Sequence, residues 1–350
     1  MKQLNIIKSV ILIALIAGNS FNTKAQNKFY NSNDNFTIAF YNVENLFDTI
    51  NNPDKIDEQF LPNSNKKWNT GRYKKKINDL ARVISSININ ELPEIVGLSE
   101  VENKAVLTDL VNSRFLSKGE YGIIHEESPD ARGIDVALLY RKSEFKYLSH
   151  QVYQIYFDFE PETTTRDILH VAGKLNNGET LHIFVNHWSS RRDGQKKSEP
   201  KRLQTAKILR TKVDSIFKQN KKAKIVIIGD FNDEPTNKSI HEVLNATNNL
   251  RTENKTELYN LMFDKSINGL GTYNYRGNWN MLDNIIVSRN LINNKKGYAI
   301  TPDGGQILKK RWMIYDNVKT GQFTPSKTYG GPNYYGGISD HFPVYVNLRK

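Results

Sequence analysis

Not one cysteine occurs among the 350 residues. Disulfides, thiolate nucleophiles and lipid attachment at an N-terminal cysteine are therefore excluded, and stability has to come from packing. Long apolar runs are missing too: no stretch approaches the 18 or so residues that a transmembrane helix needs. Internal repeats, low-complexity tracts and interdomain linkers are likewise absent. Negative charge is the minority sign, with 37 acidic residues against 49 Lys and Arg and a formal net charge of +12. An excess of cations favours polyanionic partners such as nucleic acid or an anionic surface, although a solvated Lys-rich exterior has the same composition. What is present, 38% hydrophobic and 25% charged residues, suffices for an ordinary globular core.

The chain opens with Lys2 and Lys8 flanking the short apolar run Ile6 to Ala17, then small and polar residues ending in Thr23-Lys24-Ala25. A charged n-region, a short h-region and a small-residue cleavage site predict a signal peptide over residues 1–25. The mature protein is then expected to be secreted or periplasmic, and losing Lys2, Lys8 and Lys24 takes its charge from +12 to +9. Residues 26–35 are polar and Asn-rich and read as a flexible leader. A single domain is expected over 36–350.

Within that span, β-branched and aromatic content predicts strands at Phe36–Asn42, Pro93–Leu98, Ile134–Tyr140, Ile168–Leu175, Thr180–Asn186, Lys224–Ile228, Asp283–Ser288 and Pro343–Leu348. Helical spacing of Ile77, Leu80, Ala81, Ile84 and Ile87 predicts an amphipathic helix from Tyr73; further helices are expected over Ala105–Val111 and Pro200–Lys218. Residues 51–71 read as a long loop. Strands and helices mixed without strict alternation indicate an α/β or α+β sandwich. The consecutive apolar residues of Ile225-Val-Ile-Ile228 and Ile183-Phe-Val185 mark strands buried on both faces, in the middle of a sheet.

Polar residues recur where these strands end: Asn42 and Glu44, Glu100 and Glu102, Asn186 and His187, Asp230 and Asn232, with Asp340-His341 before the last strand. Such groups are costly beside a core unless paired or used, and strand ends are where α/β proteins place ligands. One such case is turn chemistry; several in one chain point to a shared site.

Taken in order, Tyr41-Asn-Val-Glu-Asn45, Leu98-Ser-Glu-Val-Glu-Asn103, Gly133-Ile-Asp135, Asn186-His-Trp188, Gly229-Asp-Phe-Asn-Asp233, Leu282-Asp-Asn-Ile-Ile286 and Ser339-Asp-His-Phe-Pro343 resemble the successive motifs of the endonuclease/exonuclease/phosphatase superfamily. That superfamily includes pancreatic deoxyribonuclease, abasic-site endonucleases, neutral sphingomyelinases and inositol-polyphosphate phosphatases. The resemblance implies a four-layer α/β sandwich of two packed mixed β-sheets flanked by helices. It also implies roles for individual residues: Glu100 as principal metal ligand with Asn42 and Asp340 beside the same ion, Asp230 and Asn232 positioning the attacking water, and His341, held by Asp283, facing the phosphate. His187 is similar to a second histidine that donates to the phosphate or leaving oxygen, with Asp135 as its orienting carboxylate; Arg166 and Asn186 resemble phosphate contacts. Oxygen ligands of this kind suit Mg²⁺ or Mn²⁺, with Ca²⁺ also compatible.

The chain departs from some branches. Glu102 stands where the deoxyribonuclease has a basic DNA contact, and His187-Trp188 replaces the Tyr-x-x-Asn segment of the abasic-site enzymes. Arg191, Arg192, Lys196, Lys197, Lys201 and Arg202 follow His187 closely and read as a mobile basic loop able to track a phosphate backbone. Trp188, Trp279, Tyr273 and Tyr275 are candidates for base stacking. The leading expectation is a monomeric, secreted, metal-dependent nuclease acting on DNA or RNA, with no obligate protein partner. A phosphomonoesterase or sphingomyelinase-like phosphodiesterase is the alternative, and a non-catalytic binding protein on the same scaffold is the third. N-terminal sequencing of the exported protein should begin at Gln26 or Asn27; a chain still starting at Met1 would overturn the signal-peptide reading.

Overall fold

The computed structural model describes residues 35–350 apart from Ile89, Asp193, Lys319 and Thr320. The expected signal peptide and all but the last residue of the leader lie outside the described residues. Among the described residues, no helix is long and apolar enough to cross a membrane.

In chain order the strands are β1 Asn35–Leu46, β2 Ile95–Val101, β3 Tyr121–His125, β4 Asp135–Arg141, β5 Phe145–Tyr153, β6 Ile168–Leu175, β7 Thr180–His187, β8 Lys224–Asp230, β9 Ala246–Thr247, β10 Leu258–Asn260, β11 Tyr273–Tyr275, β12 Asn278–Asn280, β13 Asp283–Ser288, β14 Gln306–Ile307, β15 Ile314–Asn317, β16 Gln322–Pro325, β17 Tyr329–Gly330, β18 Asn333–Tyr334 and β19 Val344–Arg349. The helices are α1 Thr70–Ser85, α2 Lys104–Val111, α3 Gln195–Gln219 and the short α4 Phe263–Ile267. One sheet runs β14-β19-β1-β2-β4-β3 and the other β5-β6-β7-β8-β13-β10-β9. Both are mixed, with parallel pairs at β1/β2 and β7/β8 among antiparallel neighbours.

Alternation along the strands builds three apolar layers and hence four structural ones. Ile38 and Phe40 of β1 face Val226 and Ile228 of β8 between the sheets. Ala39 and Tyr41 point the other way, onto Tyr73, Ile77 and Leu80 of α1 and Val106 and Leu110 of α2. Ile225 and Ile227 pack with Leu209, Val213 and Phe217 of α3. The expected four-layer sandwich of two mixed sheets flanked by helices is therefore what the chain forms, and Ile225-Val-Ile-Ile228 lies in the fourth of seven strands. Helices α1 and α2 each start at an asparagine whose side chain accepts an amide hydrogen, Asn69 from Arg72 and Asn103 from Val106.

The edge strand β5 was not anticipated, because it is exposed over most of its length and lacks an apolar face. Helix α3 also begins five residues earlier than expected. Pro200 reads as a first-turn residue, but the buried Arg202 reaches back to the carbonyls of Gln195 and Ser189 and holds another turn in place. Lys196 and Lys197 consequently belong to a helix and not to a mobile loop.

Two glycines allow close approaches, one between the sheets and one within the parallel β7/β8 pair. A Cβ on Gly97 of β2 would sit 2.6 Å from Ile228 Cδ1 across the sandwich, and one on Gly229 would sit 2.4 Å from the carbonyl oxygen of Asn186. The first obstacle is a side-chain tip and the second is backbone. Gly97→Ala should cost about 1–3 kcal/mol as an overpacking change, and Gly229→Ala should cost more and depress activity by displacing Asn186 and His187. Urea unfolding with a parallel rate measurement checks both; a Gly229→Ala protein of wild-type stability would contradict the close approach.

Candidate active site

The site is assembled from the pairing of three strands in one sheet and two in the other. Parallel pairing of β7 with β8 sets His187 beside Asp230, and antiparallel pairing of β8 with β13 sets Asp283 beside Asp230. His187, Asp230 and Asp283 thus form a row. In the other sheet Asn42 of β1 pairs with Ser99 of β2, next to Glu100. Pairing is irregular in both strands at this point, between Asn42 and Leu46 and between Ser99 and Val101. Glu44, Asn45 and Glu100 have left-handed backbones, with φ of 50°, 58° and 63°. A bulge of this kind re-aims a side chain, and non-glycine residues held in that region mark sites that the surrounding structure over-determines.

The polar groups converge. Asn42 donates from Nδ2 to Asp230 Oδ2 (3.0 Å) and to Glu100 Oε1 (3.4 Å). His187 Nε2 lies 3.7 Å from both of those carboxylate oxygens, and His341 Nε2 lies 3.8 Å from Asp230 Oδ2. His341 Nδ1 bonds Asp283 Oδ2 at 2.7 Å, and the Thr272 hydroxyl donates to the same carboxylate. Tyr273 pairs with His341 through the backbone and stacks at a tilt, its ring centroid 4.9 Å away. Ser339 Oγ donates to the Asn42 carbonyl (2.7 Å) and accepts from the His341 amide, fastening segment 339–341 to β1.

Burial separates the two histidines. It pushes His187 well below its ordinary pKa, and the positive charge of Arg166 adds to that. Burial alone would lower His341 as well, but the Asp283 carboxylate and its hydrogen bond, together with the charges of Asp230 and Asp340, outweigh it and hold His341 well above its ordinary value. Two imidazoles side by side are therefore set to opposite protonation states, one neutral and one cationic. Burial also raises the carboxyls: Asp230 is pushed up to about 7 against the opposing charge of His341, and Asp340 and Glu44 are raised for the same reason. A site that accumulates carboxylates to this degree is short of positive charge.

That shortage, and the hard oxygen donors of Glu100 and Asp340, fit a divalent cation. Glu100 Oε2 accepts from the Asn45 amide (2.9 Å), which steadies the carboxylate from behind. Asn42 differs from the ligand role that the resemblance implied. Its Oδ1 accepts from the Glu44 amide (3.0 Å) and its NH₂ faces the two carboxylates, so in this orientation it bridges acids. Asn232, with φ 49°, gives its amide N–H to Asp230 Oδ1 (2.9 Å) and its side-chain N–H to the Trp188 carbonyl.

Several expected contacts are spent elsewhere. Arg166 is buried and paired with Asp130 (3.1 Å), and it donates to the Trp188 carbonyl, so its guanidinium is a structural tie and not a free phosphate contact. Asn186 accepts from the Trp188 indole and donates to the Ile228 carbonyl, which makes it a cross-strand tie. Arg191 pairs with Asp233 and donates to Asn237 and to the Asn232 carbonyl. Arg202, fully buried, pairs with the same Asp233 at 2.8 Å. Lys201 pairs with Glu160 at 2.7 Å. Buried cations need such partners, and three of the six residues read as a basic segment are taken up by ion pairs of the fold. Arg192, Lys196 and Lys197 stay exposed. Asp135 does not orient His187: it accepts from the Ser128 amide and faces His125, and His187 Nδ1 has no partner among the described residues. Trp188 is buried against Phe231 and cannot stack on a ligand.

Lys76 belongs to none of the sequence motifs, yet it lies buried beside the site. Its ammonium is buried, donates to Thr328 Oγ1 (2.7 Å) and to the Ile338 carbonyl, and feels the charges of Glu44, Asp340 and Glu100. A signal existed: position 76 falls on the apolar face of α1, one turn from Tyr73 and from Leu80, where a solvated lysine is out of place.

His341→Ala should lower turnover at least 10²-fold, the usual worth of a positioned proton donor, and Asp283→Asn should act mainly through it. A double mutant no slower than His341→Ala alone would confirm the coupling. Losses that multiply as independent sites would refute it.

Comparison with known proteins bears on the whole of this architecture. Similar solved structures include the D. rerio TDP2 crystallised with a single-strand DNA product (14% identity, 90% of this chain and 99% of that chain, TM-score 0.54). A second is the mannosyl-6-phosphatase Bt3783 of Bacteroides thetaiotaomicron (18%, 90% and 100%, 0.54), and a third the human Nocturnin catalytic domain with a sulfate anion (14%, 90% and 95%, 0.52). At these identities they establish the shared fold. No curated protein matches the sequence. The family model described as Endonuclease/Exonuclease/phosphatase family matches residues 37–350, and the chain belongs to that family.

Proposed function

We propose that this chain, a member of a family of metal-dependent phosphoric ester hydrolases, is an exported nuclease that cleaves phosphodiester bonds by attack of water on phosphorus. The observation that carries the hydrolytic reading is the convergence at the strand ends of Glu100, His187, Asp230 and His341, linked in a chain of contacts under 4 Å from Glu100 to His187, His187 to Asp230 and Asp230 to His341. Glu100 and Asp340 would hold a divalent ion, Mg²⁺ or Mn²⁺, which supplies neutralisation of charge on the phosphate oxygens. Asp230, with its pKa raised to about 7, accepts a proton from the attacking water while Asn232 holds its carboxylate in place. His341, kept cationic by Asp283, donates from Nε2 to a phosphate oxygen. His187, neutral, offers its Nε2–H as a hydrogen bond to the leaving oxygen; as the ester P–O bond breaks and the bond from phosphorus to the water oxygen forms, the leaving oxygen takes up the proton that Asp230 received or one from solvent.

Nucleic acid is preferred as substrate because Arg192, Lys196 and Lys197 remain exposed shortly after His187 in a chain of strongly positive charge. One observation favours a second reading, a phosphomonoesterase acting on a sugar phosphate: Arg191 and Arg202 are turned inward onto Asp233 and Lys201 is paired with Glu160, which halves the basic track. The fold does not choose, since it hosts proteins named for either chemistry.

EDTA should abolish hydrolysis, and Mg²⁺ or Mn²⁺ should restore it; turnover persisting in EDTA would remove the metal assignment. On a single-stranded oligonucleotide, each phosphate contact contributes about −0.7 to the slope of log affinity against log salt. Replacing Arg192, Lys196 and Lys197 by Ser should therefore flatten the slope by up to about 2 and leave a small chromogenic phosphodiester unaffected. Equal slopes, with faster turnover of a sugar phosphate, would make the phosphatase reading the correct one.

A further inference from the structure

The hairpin joining β3 to β4 carries a second convergence that the hydrolytic site does not use. His125 ends β3, Asp135 begins β4 and Glu127 lies between them, and each offers one ligand atom with all three atoms within 4.8 Å of one another. The His125 and Asp135 side chains are only 3% and 1% exposed, whereas Glu127 is exposed. His125 Nε2 and Asp135 Oδ2 stand 3.3 Å apart, yet neither makes a hydrogen bond within the described structure.

A buried donor and acceptor at that separation would be expected to align and bond, because an unmade hydrogen bond is costly. Two ligands of one ion have no reason to. In a tetrahedral shell with bonds of about 2.0–2.1 Å, neighbouring ligand atoms lie roughly 3.3–3.4 Å apart. The charge of the surroundings points the same way. Asp135 lies close enough to feel the charges of both Glu127 and Asp167. The ammonium closest to hand, Lys55, is engaged with the carbonyls of Ser128 and Asp130.

We propose that His125, Glu127 and Asp135 form a second divalent-metal site, separate from Glu100 and Asp340, that takes zinc and opens to solvent on the Glu127 side. One imidazole and two carboxylates match zinc, and an imidazole argues against calcium. Ion binding here ties the two ends of segment 126–134 together. That segment carries Asp130, the partner of Arg166, which in turn holds the Trp188 carbonyl beside His187. The site therefore acts as a brace on one wall of the catalytic cluster.

The test uses the full chain carrying Glu100→Gln, which disables the principal ligand of the first site, with zinc chloride alone as the probe in calorimetry and thermal melting. One zinc ion should bind and raise the melting temperature, and equimolar calcium should not displace it. Adding His125→Ala should weaken zinc binding at least about 100-fold, since even outer-shell partners are worth about 10–100-fold, and should remove the thermal shift. Glu127→Gln, at an exposed position where folding is not at risk, should weaken binding at least tenfold. Absence of zinc binding in the Glu100→Gln chain, or an affinity unchanged by Glu127→Gln and His125→Ala, would overturn the assignment.

Discussion

Concentrated negative charge at the ends of buried strands is the constraint around which the rest of the site is arranged. Strand pairing places Asp230 beside Asp283, and the opposite sheet brings Glu100 within reach of the same point through Asn42. Carboxylates so close cannot all remain ionised in a low-dielectric interior unless cations are supplied. The structure supplies some of that charge itself, through His341 held by Asp283 and through Lys76 beneath Glu44 and Asp340. The rest is left for an ion and for the polarity of the substrate, while burial and the charge of Arg166 lower His187 and the surrounding carboxylates raise His341.

The scaffold is stiff where that arrangement needs it. Glycine at 97 and 229 lets the layers and the parallel pair approach closely, while bulges in β1 and β2 turn Glu100 out of the regular alternation. Asp233 gathers Arg191 and Arg202 and so anchors the start of α3 against the loop after Asp230. Breaking a pair of this kind by removing one partner typically costs about 3–5 kcal/mol, so these cations contribute more to the shape of the site than to its affinity for anions. A run of positive residues in a sequence is thus a poor measure of an exposed basic surface.

The local patterns were sufficient for β1, β2, β4, β6, β7, β8, β13 and β19 and for the amphipathic α1, while the layer order came from the family resemblance. In each case hydrophobic periodicity is itself the physical cause of the element. They were insufficient for β5, which lies exposed at an edge, for β3 and β10, which are too short to show a period, and for the first turn of α3, which depends on Arg202 reaching its distant partners. The residues that converge were legible because polar groups at the ends of apolar strands have few other uses, and the ordered motifs tied them to one family. What each polar atom touches was not legible, because hydrogen-bond partners are set by residues far apart in the chain.

By itself, then, the sequence determined the sandwich, the family and the identity of the groups gathered at the strand ends, all of which follow from pattern and residue chemistry along short stretches. Only the tertiary structure decided that Asp135 belongs with His125 and not His187, that Arg166 and Asn186 serve as ties, that Arg191 and Arg202 turn inward, and that Lys76 lies beneath the acids. Each of those outcomes is a choice of partner for a buried polar group, and that choice is made by packing across more than twenty residues of chain or between strands, where no local pattern reaches.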